Sequence, residues 1–138
     1  MLVLSVRQPW AWAIMHAGKD IENRDWPTKV RGRVAIHASK GCTVEEYNDA
    51  VLTFGAIGVR KASIGSAALA AGEYASLARG VIIGTVEIVD CVTSSASPWF
   101  FGDFGFVLRD PRPLAEPIPW RGMLGFRPLP EDIARRLA

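Results

Sequence analysis

Val81-Ile82-Ile83-Gly84-Thr85-Val86-Glu87-Ile88-Val89-Asp90-Cys91-Val92 is the stretch on which the fold turns. It is rich in β-branched residues, which lose side-chain freedom in a helix and pack well on a pleated surface, so it reads as a long strand. Gly84 inside such a run marks a candidate bulge. Shorter strand-like runs lie on both sides of it: Leu2 to Val6, Ile21 to Arg24, Val34 to Ile36, Phe104 to Leu108 and Leu124 to Arg127. Helical signals are fewer. Pro9 opens Trp10 to Ala17, which Gly18 stops. Thr43 with Glu46 forms a capping-box pattern ahead of Val44 to Phe54, and Pro130 opens Glu131 to Leu137. The Ala/Gly/Ser-rich middle, Gly55 to Gly80, allows a helix over 67–77 broken at Gly72, and Asp110 to Pro119 is punctuated by prolines. Many short strands, few helices and no regular strand–helix alternation predict an α+β, mainly β fold. The expected form is a small closed β-barrel with two to four peripheral helices.

The chain's 138 residues suit one domain spanning 1–138. With 49% hydrophobic and 22% charged residues, it has enough apolar material for a core and lies away from the disordered class. A net charge of +2 is too small to argue for nucleic acid by itself. Of the 16 basic residues only Lys19, Lys29, Lys40 and Lys61 are lysines, and the planar Arg fork suits phosphates and base stacking. Cys42, Cys91, His16 and His37 show no metal-ligand spacing, so neither a metal nor a cofactor is expected. Arg7-Gln8-Pro9 interrupts the first apolar run and no uncharged stretch is long enough to span a bilayer, which predicts a cytoplasmic protein without membrane contact.

Gly18-Lys19-Asp20-Ile21-Glu22-Asn23-Arg24 concentrates the chemistry. In a plain strand Lys19 would face away from Glu22 and Arg24; a turn at Lys19, which Gly18 invites, would let amine and carboxylate converge. Glu87 lies in an otherwise apolar strand, where a carboxylate is costly without a partner. It faces opposite to Val86 and Ile88, toward either a cleft or solvent. Arg7, Arg24 and Arg31 are candidates to grip a phosphate, and Trp10, Trp26 or Trp99 to stack on a base. Arg24 is equally a candidate partner for Glu22 or Asp25. His37, at a strand end, suits either acid–base work or a structural hydrogen bond. Ser5 and Gln8 flank Arg7 and suit a base edge or a helix cap. The Phe100 to Phe104 stretch suits a cleft wall or the core.

Several of these elements recur in a fixed order. They are Leu4-Ser5-Val6-Arg7-Gln8-Pro9-Trp10-Ala11, Gly18-Lys19 with Glu22-Asn23-Arg24, Arg31-Gly32 with Ile36-His37-Ala38, and Ile83 to Asp90. Phe101-Gly102 with Gly105 to Leu108, and Gly122 to Phe126, complete the set. The set resembles the ASCH domain family over nearly the whole chain. The resemblance implies a PUA-like β-barrel and a role in RNA metabolism. It tips Glu87 toward the cleft, which makes Lys19, Glu22 and Glu87 the expected catalytic constellation; by their own chemistry Arg7, Gln8, Trp10, Arg24, Trp26, Arg31 and His37 are the expected ligand-binding residues.

Three functions follow as expectations. The first is a binding module for single-stranded RNA or a nucleoside or nucleotide, held around Lys19, Glu22 and Glu87. The second is a metal-independent hydrolase. Some family members cleave the amide of N4-acylated cytidines and others are ribonucleases. In the first case a carboxylate or neutral Lys would take a proton from water while its partner protonates the leaving amine. Amide-cleaving members carry Lys-x-x-Thr where this chain has Lys19-x-x-Glu22, so a second anion replaces a hydroxyl. The third is a protein-interaction module using the aromatic and proline-rich surface from Trp99 to Pro119.

Overall fold

The computed structural model describes residues 1–59 and 77–138. Its elements run β1 (Leu2–Val6), α1 (Trp10–His16), β2 (Ile21–Arg24), β3 (Gly32–Ala38), α2 (Val44–Ile57), β4 (Val81–Val92), β5 (Phe104–Pro119), β6 (Phe126–Pro128) and α3 (Glu131–Leu137). All but the last residue of the helix expected over 67–77 falls on 60–76, outside the described residues. The strands form one mixed sheet in the order β2-β5-β4-β3-β1-β6. β1 and β3 run parallel and the other neighbours antiparallel.

Period-two alternation divides the sheet into two faces. Leu4, Val34, Ile36, Val86, Ile88 and Phe106 turn inward with Ile14 of α1. Val3, Ala35, Ile82 and Ile118 turn outward, where Leu137 of α3 covers them. A third cluster docks α2 through Ala50 and Phe54 against Ala13, Ile21 and Trp99. No helix among the described residues is long and apolar enough to cross a membrane.

The sheet curls into a half-barrel and does not close through a β2–β6 pairing among the described residues. These edge strands have only 4 and 3 residues, and side chains span the gap between them. Trp26 stands edge-on to Phe106 (5.2 Å) and Phe126 (5.9 Å), and the Arg24 guanidinium donates to the Ser5 carbonyl (2.8 Å). That open side is where a cleft forms.

Gly84 sits at a bulge, as its place in the run predicts: β3 pairs Ile36 with Gly84 and His37 with Ile82, leaving Ile83 as the extra residue of β4. A Cβ there would sit 2.6 Å from both the Arg112 carbonyl and Met15 Sδ, so the crossing of α1 over the sheet depends on glycine. The prolines from Asp110 to Pro119 do not end the strand. β5 continues through them for 16 residues in all, because β2 covers only its first part and leaves the rest an edge where a missing N–H is harmless.

Candidate functional site

The cleft begins at the end of α1. Gly18 adopts φ +73°, and the Lys19 N–H closes the helix on the Ala13 carbonyl (3.2 Å). This turn, rather than a continuous strand, swings the Lys19 side chain back over β2. Its amine donates to the Ile21 carbonyl and to Glu22 Oε1 (3.1 Å). Glu22 and Arg24 are two residues apart on one face of β2, so the guanidinium reaches Glu22 Oε2 through Nε (3.1 Å) and Nη2 (2.8 Å). The Lys19 and Glu22 side chains are 3% and 9% exposed, which makes this a buried carboxylate shared by two cations.

Around this cluster opens a cavity of about 620 Å³. Trp10 and Trp26 line it, each beside one of the cations: Lys19 Nζ lies 5.9 Å from the Trp10 ring centre and the Arg24 guanidinium carbon 6.0 Å from that of Trp26. Phe101, 51% exposed, and Thr53 of α2 complete the wall. Thr53 has no sequence signal of its own, whereas Phe101 belongs to the 100–104 stretch that suits a cleft wall. Asn23 fixes it there: it points away from Glu22 and holds the 99–101 loop, donating to the Trp99 carbonyl (2.9 Å) and accepting from the Phe101 N–H (2.8 Å). Arg7 sits at the rim in a two-bond pair with Glu46 (2.8 and 2.7 Å), and the guanidinium holds that carboxyl below its ordinary value.

Other sequence candidates lie elsewhere. Glu87 does face away from Val86 and Ile88, but onto the outer surface of the sheet. There it pairs with Arg109 of β5 and takes no part in lining the cleft. Gln8 is 2% exposed and uses its amide internally, donating to the Ala78 carbonyl and accepting from the Trp12 N–H, which makes it a helix cap. Arg31 is spent on the Thr28 and Val30 carbonyls and on Asp90, outside the cleft. Trp99 is buried against Phe54.

His37 also lies outside this cleft, beside a second cavity. Its ring is 1% exposed, and Nε2 lies 2.8 Å from the Trp120 carbonyl, which only an N–H can satisfy. Nδ1 lies 2.9 Å from Ser5 Oγ; burial favours the neutral imidazole, in which Nδ1 accepts the serine proton. Burial lowers the His37 pKa from its ordinary 6.5, partly offset by the Trp120 carbonyl; burial also lowers that of His16. The unfolded chain thus takes up protons first as pH falls through about 6.5, and stability should decline below it until the folded histidines titrate. Glu46 adds to the loss only further down, near and below its ordinary 4.5. Urea midpoints measured between pH 8 and 5 check this, with His37→Gln flattening the upper part of the decline.

The family model for the ASCH domain matches residues 4–100, well over half of the chain. The chain belongs to the ASCH domain family. Within that ASCH match lie the Gly18 turn, the Lys19–Glu22–Arg24 cluster and both cleft tryptophans. Activating signal cointegrator 1 from human is 27% identical over 128 residues, covering 86% of this chain, and the mouse protein gives the same figures. The chain spans about a fifth of the length of these relatives, the match covering 20% of each. In fold, the chain is similar to the crystal structure of ASCH from Zymomonas mobilis, with a TM-score of 0.57 at 15% identity, covering 99% of this chain and 92% of that one.

Proposed function

We propose that this ASCH protein binds RNA or a nucleotide and acts in RNA metabolism, holding a base between Trp10 and Trp26 above the Lys19–Glu22–Arg24 cluster. The observation that carries the reading is a buried carboxylate held by two cations in an open cleft edged by aromatic rings. Each base stacked on such a ring contributes about 1–3 kcal/mol. Glu22 accepts one bond from Lys19 and two from Arg24, and a carboxylate offers about four acceptor positions. The remaining one suits an exocyclic amino group such as cytosine N4.

Binding is favoured over turnover because Glu87 stands apart from the cleft and the Lys19 amine is already engaged by Ile21 and Glu22. Binding is favoured over protein docking because the cleft is open rather than filled by side chains, and Trp99, at the head of the proposed docking surface, is buried.

The test is an NMR titration of labelled protein with cytidine, N4-acetylcytidine, CMP and a short single-stranded RNA, with the samples checked for product. Shifts at the Trp10 and Trp26 indoles and the backbone of Lys19 to Arg24, without product, are expected. Consumption of acetylcytidine would replace the reading with a hydrolase, and silence with every ligand would remove it.

A further inference from the structure

The second cavity, about 1080 Å³, adjoins the first and shares Ser5, Arg7 and Arg24 with it. Among the described residues its lining includes Arg7, Arg24, Lys40 and Arg121 and not one Asp or Glu. The first cleft, by contrast, contains Glu22 and Asp25. Two of the four cations are compensated, Arg7 by Glu46 and Arg24 by the Glu22 it shares with Lys19. Lys40 and Arg121 enter no ion pair with any described residue and are exposed. A concave wall of one sign, bounded by low-dielectric protein, focuses its field on whatever enters.

The other side of this cavity is uncharged and closely fitted. His37 is neutral, with its two ring nitrogens used by Ser5 and Trp120. Gly122 lies so close to that pair that a Cβ would meet His37 Cε1 at 2.8 Å and Ser5 Oγ at 3.0 Å. Only a glycine lets the 119–125 loop approach His37 and Ser5 this closely, leaving Arg121 on the cavity lining.

We propose that the second cavity is the path of the phosphodiester backbone of a single-stranded nucleic acid whose base occupies the first cleft. Arg7 and Arg24 form the ridge that the strand crosses, and Lys40 and Arg121 receive the phosphates beyond it. The inference rests on the nucleotide-binding reading above and sharpens it: the ligand is a strand of at least two nucleotides, not a free nucleoside. Contiguity of the cavities argues for a strand over an isolated anion, since an occupant touching Arg24 from either side is within reach of the other.

The test compares wild type with Lys40→Ala/Arg121→Ala, titrating cytidine, CMP, inorganic phosphate and a short pyrimidine RNA at several salt concentrations. Both substitutions are at exposed positions, so an unchanged unfolding midpoint serves as the folding control. Wild type should bind the oligonucleotide more tightly than CMP. In the double variant the slope of log affinity against log salt should be shallower by about 0.7 for each phosphate contact removed. Cytidine, which reaches only the first cleft, should bind the two proteins alike. An oligonucleotide slope unchanged by the double substitution overturns the proposed path while leaving the first cleft's reading intact. Inorganic phosphate displacing the RNA from the second cavity at matched charge reduces it to a simple anion site. Failure of wild type to bind any of these ligands removes the nucleotide-binding reading and this inference together.

Discussion

Glu22→Ala is expected to destabilise the protein by about 3–5 kcal/mol, the usual result of removing one partner from a buried ion pair. The side chain it removes accepts from both Lys19 and Arg24, so its loss leaves two cations facing each other. They differ in their means of escape. Arg24, 21% exposed, can turn toward water, but Lys19, 3% exposed and tied to the Ile21 carbonyl, cannot without opening the Gly18 turn. Most of the cost therefore falls on the stranded ammonium. Lys19→Met/Glu22→Leu, which removes that ammonium along with the carboxylate, should recover much of the loss. Urea unfolding of the three proteins checks this. A Glu22→Ala cost under about 1 kcal/mol would mean that water reaches the ammonium freely, and the cluster would then be an ordinary surface pair.

The second large effect is expected at Phe54, which touches no ligand. Its ring is fully buried and meets Trp10 at 5.3 Å, Trp12 at 6.2 Å and Trp99 at 5.6 Å between ring centres. Phe54→Ala leaves a cavity among three indoles and should cost about 3–5 kcal/mol. It should also weaken nucleotide binding, because Trp10 loses the edge-on ring that holds it at the cleft. Phe54→Leu fills more of the space and should give a smaller loss in both measurements. Equal binding by Phe54→Ala and wild type would show that Trp10 is held by α1 alone.

Much of this architecture is legible from local chemistry. The β-branched run from Val81 to Val92 is a strand with its bulge at Gly84, and Ile21 to Arg24 is a strand as expected. Gly18 ends the first helix, and Thr43 caps the second by accepting from the Glu46 N–H. Each is set within a few residues, by β-branching, a positive φ or a capping oxygen. The proline-rich half of β5 is misread by the same local rules, since whether a proline disrupts a sheet depends on which neighbour its missing N–H would face. Barrel closure fails for a comparable reason: strand count says nothing of whether the edges are long enough to pair.

At the site, alternation shows that Glu87 opposes Val86 and Ile88 but not which face of the sheet holds a cleft. The sheet's curl puts that face outside, against Arg109. Gln8 and Arg31 look like binding residues because their donors are unassigned in a sequence, and the fold spends those donors on backbone carbonyls. The sequence by itself determined that each strand exists, though not how far β5 and β6 run, together with the helix stops, the family and the local cluster of Lys19, Glu22 and Arg24. Only the tertiary structure decided that Trp10, Trp26 and Phe101 edge that cluster together with Thr53 while Trp99 and Glu87 do not, and that Ser5, His37, Lys40 and Gly122 meet at a second cavity. Thr53, Phe101 and Gly122 lie far along the chain from Lys19, Ser5 and His37, and such meetings depend on strand order and curl, which no local pattern encodes.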